Sequence, residues 1–352
     1  MKEILAKMNL PKVLEDGFVK SGWDKRRREL VDILANEEFG IMPSAPEKID
    51  VEVKLDNKEG LGGGAVHKEV NISFDTEKGK FTFPITYFAP NDGKKHPVFV
   101  YIAFTPARAF KPLPLEEMVE KGFGLAFLDY QDIALDKDDA NENGIAKMYA
   151  RRNDGTDWGK IGMWAFAASR VADFLEKEES CDMEKLAVIG HSRLGKTALW
   201  AGANDERFKF VISNDSGCSG AAISRDKEGE SIERITTVFP YWFCENYKKY
   251  AGKEDDCPFD QHFLTSAIAP RYLYVASASQ DSWACPRNEL LGAMAAGEIY
   301  EALGMTGLVF EDAQPKADHS YNEGSVAYHV RTGNHFLARQ DWLKYMDFIA
   351  SK

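Results

Sequence analysis

Five short apolar runs after residue 95 constrain the fold of this chain more than any other feature. They lie at 98–104, 124–128, 186–189, 210–212 and 272–276. Strands that are apolar on both faces are typical of parallel sheets covered by helices on each side. Segments with amphipathic helical spacing lie between or after these runs, at 158–175, 194–203, 290–303 and 341–349. The pattern predicts an α/β protein with a mostly parallel, doubly wound sheet and helices on both faces.

The first ninety residues have a different pattern. Residues 1–47 form a helical N-terminal extension in this interpretation, because apolar residues recur at helical spacing from 23 to 39. Three segments with alternating polarity follow at 51–55, 66–74 and 81–88, and they predict antiparallel strands. We find no internal repeat and no low-complexity linker, so residues 1–352 are expected to form a single domain. Residues 216–261 are polar, glycine-rich and interrupted by aromatics, which predicts an inserted loop region over the active site.

Composition excludes several classes of protein. The 352 residues are 44% hydrophobic, enough for a sizeable core, and their formal net charge is −12. A nucleic-acid binder needs a basic face, so nucleic acid is not an expected partner. Residues 1–12 mix lysine and glutamate with apolar residues, and no segment has the length and polarity of a membrane span. We therefore expect a cytoplasmic protein without a membrane partner.

The cysteines and histidines indicate neither a metal site nor a cofactor. There is no Cys-x-x-Cys pair and no His-Glu-x-x-His motif. The cysteines are scattered, which is typical of free buried thiols; they are Cys181, Cys218, Cys244, Cys257 and Cys285. We expect no metal and no cofactor.

Residues 190–197, Gly-His-Ser-Arg-Leu-Gly-Lys-Thr, match two incompatible motifs. As Gly-x-Ser they place a serine nucleophile, Ser192, on a turn from strand to helix. As Gly-x4-Gly-Lys-Thr they form a phosphate-binding P-loop of an NTPase. The P-loop needs a wide nest of backbone N–H groups, whereas the variable positions here carry bulky side chains. Local context alone suits both motifs.

The order of acidic and basic residues favours the serine. Hydrolases of the α/β type supply their triad in the order Ser, acid, His. Asp281 follows the predicted strand at 272–276, and His335 follows a short apolar stretch at 327–330. Asp215, after the strand at 210–212, is a second candidate acid. Each candidate follows a strand at the edge where open α/β sheets collect their reacting groups, so the sequence predicts an α/β-hydrolase fold.

Several motifs in the second half of the chain resemble those of the glucuronoyl esterases and their bacterial acetylxylan-esterase-like relatives. The motifs are Gly-His-Ser-Arg-Leu-Gly-Lys at 190–196, Ser-Asn-Asp-Ser-Gly-Cys-Ser-Gly-Ala-Ala at 213–222, Gly-Glu at 229–230, Pro-Phe-Asp-Gln-His at 258–262, Asp-Ser-Trp at 281–283 and Gly-Asn-His at 333–335. They occur in the same order as in that family. The first ninety residues add little to the resemblance.

The resemblance implies a serine ester hydrolase that acts on plant-cell-wall carbohydrate. Ser192 would be the nucleophile, His335 the base, and Arg193 a cation that binds the oxyanion. The family places its acid after either of two strands, and both positions are occupied here. Asp215 stands where many members carry the longer glutamate, so Asp281 is the favoured partner of His335, with Asp215 assisting or replacing it.

The expected substrate rests on the resemblance and not on the spacing of residues in the sequence. Lys196, Glu230 and Trp283 align with residues that contact the sugar in family members. A uronate ester of a hemicellulose fragment and an acetyl ester on a xylo-oligosaccharide both remain open. A rival of another class is a catalytically inactive homologue that binds carbohydrate. A small carbohydrate ester or oligosaccharide is the expected partner, and the sequence gives no oligomeric state.

Overall fold

A single ten-stranded sheet organises the molecule. The computed structural model describes residues 1–104 and 113–352. Along the sheet the strand order is β1-β2-β3-β5-β4-β6-β7-β8-β10-β9. The strands are β1 Asp50–Gly60, β2 Ala65–Thr76, β3 Gly79–Pro90, β4 His96–Ala103, β5 Gly124–Asp129, β6 Cys181–His191, β7 Phe210–Asn214, β8 Tyr272–Ala278, β9 Ser320–Tyr321 and β10 Val326–Arg331.

The six central strands, β5-β4-β6-β7-β8-β10, all pair in parallel. Their residues are almost all buried, because helices cover both faces of the sheet. The helices are α1 Lys2–Lys7, α2 Trp23–Leu34, α3 Leu115–Glu120, α4 Lys160–Leu175, α5 Arg193–Asn204, α6 Ile232–Val238, α7 His262–Ser266, α8 Pro286–Ala302 and α9 Arg339–Ala350. One core lies between the sheet and α4, α5 and α8, and a second core lies under α3 and α9. The predicted doubly wound α/β architecture is confirmed.

Antiparallel strands extend this sheet on its N-terminal side. β1 pairs with β2, β2 with β3, and β3 with β5, all antiparallel. A short 3-10 turn over Leu61–Gly63 joins β1 to β2, so the glycine cluster at 60–64 forms a hairpin connection. Val51, Val53 and Leu55 stay exposed because β1 is the outermost strand and nothing in the described residues covers it.

The N-terminal extension is only partly helical. It contains α1, α2 and a π-helical turn over Ala35–Phe39, but residues 8–19 carry no helix. Leu30 and Leu34 of α2 are fully buried, and the indole of Trp23 donates a hydrogen bond of 2.9 Å to the carbonyl of Ala269 beyond α7. The extension therefore packs on the C-terminal half of the chain as part of the same core. No described helix combines the length and apolarity needed to cross a bilayer.

The region 216–261 connects β7 to α7 and contains α6 and two short 3-10 turns. Its aromatic residues are mostly packed: Trp242, Phe243 and Tyr247 are buried, and the rings of Phe239 and Trp242 stack with centroids 3.8 Å apart. The same Trp242 ring contacts Arg193, the residue after Ser192. This contact places part of the inserted region beside the C-terminal end of β6.

Candidate active site

Ser192 makes the whole turn between a strand and a helix. β6 ends at His191 and α5 begins at Arg193. The serine has φ +60° and ψ −127°, a conformation that side-chain-bearing residues rarely adopt. A Cβ on Gly190 would overlap the carbonyl oxygen of Leu194, and one on Gly195 would lie 3.0 Å from the Cβ of Ser216. The two glycines allow the tight turn that exposes a nucleophile at a strand end.

This geometry does not suit a P-loop. Residues 193–196 are already helical, so they form no open loop of backbone N–H groups around a phosphate. The Lys196 side chain is buried, and its ammonium donates to the carbonyl of Ser216 and lies 3.9 Å from the Glu230 carboxylate. The N–H groups of Gly195 and Lys196 both donate to the carbonyl of Ser192, and the N–H of Ser192 donates to the carbonyl of Asn214, so these groups are not free to bind a phosphate. The structure therefore does not support the P-loop alternative.

Ser192 and His335 line the same open cavity of about 260 Å³. His335 lies on the connection between β10 and α9, and 43% of its side chain is exposed. The other lining residues are Tyr101, Phe104, His191, Arg193, Phe336 and Leu337. Residues more than 140 positions apart thus meet at the C-terminal edge of the parallel strands.

Asp281 is the acid that bonds to His335. The imidazole Nδ1 and the carboxylate Oδ2 are 2.6 Å apart, and Asp281 also accepts the backbone N–H of Ala284 at 3.1 Å. Burial acts to raise the pKa of Asp281, but the hydrogen bond and charge of His335, together with the Ala284 N–H, outweigh it and hold the pKa below its usual value. An ionised Asp281 fixes the Nδ1–H tautomer, which leaves Nε2 able to accept a proton.

Asp215 lies close by but is bonded differently. It follows β7 directly with φ +45°, and its side chain is fully buried. Neither carboxylate oxygen has a hydrogen-bond partner among the described residues. Burial, with the charges of Glu289, Asp281 and Asp341, raises its pKa well above the usual value, and the cation of Arg331 opposes this. The structure therefore brings Asp215 beside the site without a bond to His335.

One group in the described ranges has the composition of a metal site. The ligand atoms of His191, Asp215 and His335 all lie within 4.8 Å of one another. Nδ1 of His191 is 2.7 Å from the side-chain oxygen of Asn214, and Nδ1 of His335 is engaged by Asp281. An ion there would compete with proton transfer at His335, so these residues fit acid–base chemistry better than a resident metal.

Arg193 lies against three aromatic rings. Its guanidinium is 4.6 Å from the ring centroid of Trp242 and 5.5 Å from those of Phe104 and Phe239. Its Nη1 forms an ion pair with Asp136, whereas its buried Nε has no hydrogen-bond partner among the described residues. A fixed cation with a spare donor beside the serine can stabilise negative charge that develops there.

Asp136 is a residue that sequence reasoning missed. One carboxylate oxygen binds Arg193 and accepts the Tyr130 hydroxyl at 3.1 Å, and the other accepts the indole N–H of Trp242 at 2.8 Å. It lies within 132–143, where four aspartates are spread over a run with no recognisable spacing. No sequence signal separates Asp136 from its neighbours, since its role depends on where Arg193 and Trp242 lie in space.

Lys196, Glu230 and Trp283 lie next to one another. The Lys196 ammonium and the Glu230 carboxylate form a buried pair at 3.9 Å, and the Glu230 N–H donates to the Trp283 carbonyl at 3.2 Å. A Cβ on Gly229 would lie 2.5 Å from that carbonyl, so glycine permits the close approach. Trp283 is 51% exposed and stands two residues from Asp281. None of the three lines the cavity that contains Ser192; Trp283 is exposed, whereas Lys196 and Glu230 are buried.

Comparisons with known proteins agree on one family. The family model "Glucuronyl esterase, fungi" matches residues 70–304, more than half of the chain. Carbohydrate esterase MZ0003, from an unknown prokaryotic organism, is 34% identical over 96% of this chain and 88% of its own length. A 4-O-methyl-glucuronoyl methylesterase of Podospora anserina is 28% identical over 81% of this chain and 57% of its own.

Solved structures are similar over nearly the whole chain. The glucuronoyl esterase from Solibacter usitatus has a TM-score of 0.89 at 35% identity and covers 97% of both chains. A promiscuous esterase of carbohydrate esterase family 15 from a marine bacterial metagenome has a TM-score of 0.86 at 32% identity, covering 97% of this chain and 96% of its own. These similarities confirm the predicted α/β-hydrolase fold. The chain therefore belongs to the glucuronoyl esterase family of serine carboxylic ester hydrolases.

Proposed function

We propose that this protein hydrolyses uronate esters of hemicellulose fragments through an acyl-enzyme formed on Ser192. The observation that carries the proposal is the 2.6 Å contact between His335 and Asp281 at the cavity that Ser192 also lines. In the first step Nε2 of His335 accepts the Ser192 hydroxyl proton, and the oxygen attacks the ester carbonyl. Asp281 stabilises the imidazolium that forms.

The remaining steps use the same groups. Arg193 stabilises the oxyanion of the tetrahedral intermediate, which then expels the alcohol as His335 returns the proton. Water, activated by His335, attacks the acyl-enzyme and releases the acid. Asp215 assists this site from a buried carboxyl group in our proposal. The Nε of Arg193, which has no partner in the described part of the chain, supports its role, because a donor bonded elsewhere would have to break that bond first.

A polar acyl group is supported by the group of Lys196, Glu230 and Trp283, in which Trp283 is the exposed member. Hydroxyl and carboxyl groups of a sugar acid need charged hydrogen-bond partners, and a pyranose ring packs on a flat aromatic face. Trp283 has the exposure that such a contact requires. An acetyl ester on a xylo-oligosaccharide would be hydrolysed by the same serine. Relative rates on the two kinds of ester therefore have to decide between these substrates. A binding protein without activity is the third possibility.

The test combines a probe with two substrates. Purified protein is treated with a fluorophosphonate probe, and hydrolysis of benzyl glucuronate and nitrophenyl acetate is measured in parallel. Ser192→Ala is the test variant and Ser73→Ala, on the remote strand β2, is the matched control. We expect labelling and turnover of benzyl glucuronate that disappear only in Ser192→Ala. Faster turnover of the acetyl ester would favour an acetyl esterase, and absence of labelling in the wild type would contradict the proposal.

A further inference from the structure

The connection that carries His335 is held from beneath by one buried arginine. β10 ends at Arg331 and α9 begins at Arg339, so seven residues span the gap. His335 and Phe336 project outward, with 43% of the His335 side chain and 41% of Phe336 exposed. Arg331 itself is 5% exposed. An imidazole on such an outward loop needs internal contacts to stay in one orientation.

The Arg331 guanidinium supplies those contacts. Nη2 donates to the carbonyls of Asn334 at 2.8 Å and Phe336 at 2.5 Å, the residues directly before and after His335. Nη1 donates to the carbonyl of Thr332 at 3.1 Å. Three carbonyls of the connection thus converge on one rigid, planar group.

Arg331 is fixed in turn by the first turn of α9. Its Nε donates to Oδ2 of the fully buried Asp341 at 3.1 Å, and the same oxygen accepts the N–H of Ala338 at 2.7 Å. The other oxygen of Asp341 is 2.9 Å from Nε2 of the buried His329. The Asp341 carboxylate therefore binds three groups: His329 on β10, the N–H of Ala338 just before α9, and the Arg331 guanidinium.

The backbone is shaped to admit this side chain. Gly333 has φ +132°, and a Cβ there would lie 2.5 Å from Nη1 of Arg331. Its carbonyl accepts the N–H of Gln280 at 2.9 Å, one residue before Asp281. A residue with a side chain at 333 would be strained and would push against the guanidinium. The Gly-Asn-His motif thus includes a glycine that makes room for Arg331.

We propose that Arg331 is a positioning residue that sets the orientation of His335 between Asp281 and the Ser192 cavity. This inference rests on the proposed function. Arg331 is not among the residues that line the Ser192 cavity, and it acts through the carbonyls on each side of the histidine. Its guanidinium also lies 4.0 Å from Oδ2 of Asp215, the second acid beside the site.

The test compares Arg331→Lys and Arg331→Met with Arg339→Lys, a control in the same region whose guanidinium bonds Glu117 on the surface. Because misplacement of a catalytic group by about 1 Å costs on the order of 100-fold, we expect kcat on benzyl glucuronate to fall about 10- to 100-fold in Arg331→Lys and further in Arg331→Met. KM should change less than about threefold, because substrate contacts remain. In proton NMR spectra, the far-downfield resonance of the His335–Asp281 hydrogen bond should broaden or shift in both Arg331 variants and remain unchanged in Arg339→Lys.

Melting temperatures separate this role from a purely structural one. If Arg331 only stabilised the fold, replacing it would lower the melting temperature without changing kcat of the folded fraction. Folded variants with kcat and the downfield resonance equal to those of Arg339→Lys would overturn the inference. If neither Arg331 variant folds, Gly333→Ala provides the same test by displacing the guanidinium with no loss of charge. The resonance is read without substrate, so failure of the proposed esterase activity and failure of this inference are distinguishable.

Discussion

At the scale of single residues, the two acids beside His335 differ in what their oxygens contact. Asp281 bonds the imidazole and has a lowered pKa, so it is ionised at neutral pH. The carboxylate oxygens of Asp215 have no hydrogen-bond partner among the described residues, and burial is the main cause of its raised pKa. An ionised acid that bonds the imidazole orients the base, whereas an acid without that bond does not.

We therefore expect Asp281→Asn to lower kcat by about 10³- to 10⁴-fold, because the amide favours the wrong imidazole tautomer. Asp215→Asn should lower kcat by less than about tenfold, because the Asp215 carboxyl makes no hydrogen bond to His335 and the asparagine amide has a similar shape. Steady-state kinetics of both variants on one ester provide the measurement. A larger loss in Asp215→Asn than in Asp281→Asn would show that the acids have the opposite roles.

At the scale of elements, local sequence patterns located most strands and helices. The apolar run at 186–189 marked the centre of β6, but the strand extends from Cys181 to His191. Its first half alternates apolar residues with the polar Asp182, Glu184 and Lys185, so it carries no continuous hydrophobic run. The short helices α3, α6 and α7 were not predicted, since five to seven residues show too little periodicity to stand out.

The turn at Ser192 gives a prediction at this scale. Gly190→Ala would place a methyl group on the carbonyl oxygen of Leu194, which belongs to the rigid start of α5. We expect a loss of about 3 kcal/mol or more in the free energy of unfolding, at the upper end of costs for overpacking. Gly22→Ala, where a Cβ would meet nothing within 4 Å, is the control. Urea unfolding measures both, and equal stability of the two variants would contradict the assigned geometry.

At the scale of the whole molecule, the N-terminal extension and the inserted region meet at a buried acid. The carboxylate of Glu38, in the π-helical turn, accepts the amide of Gln261 at 3.1 Å through both oxygens. Burial is the main cause of a pKa well above the usual value for Glu38; the Gln261 amide and Lys196 oppose the rise and Asp260 adds to it. Two regions separated by more than 200 residues thus share one titrating contact.

This contact makes stability depend on pH with a definite sign. Above the unfolded pKa of about 4.3, the native state keeps a proton on Glu38 that the unfolded state has released. Stability of the wild type must then decrease as pH rises from there towards the folded pKa. Glu38→Gln removes this term, so the variant should gain stability relative to the wild type as pH rises from about 4.5 to 7.

Melting temperatures across that range provide the measurement. Glu37→Gln is the control, because Glu37 is the neighbouring acid in the same turn and pairs with Lys249 and Tyr250 on the outer side. Curves for Glu38→Gln and the wild type that stay parallel over the range would show that Glu38 keeps an ordinary titration in the folded protein.

The sequence by itself determined the α/β class, the strand ends that carry Ser192, Asp281 and His335, and the family, because these depend on local periodicity and on motifs of a few residues. The cytoplasmic location stays a prediction. Only the tertiary structure decided that Asp281 rather than Asp215 bonds His335, that Asp136 holds Arg193, and that Arg331 lies beneath the His335 connection. A hydrogen bond requires two atoms to lie about 3 Å apart. Between residues tens or hundreds of positions apart, the packing of the whole chain sets that distance.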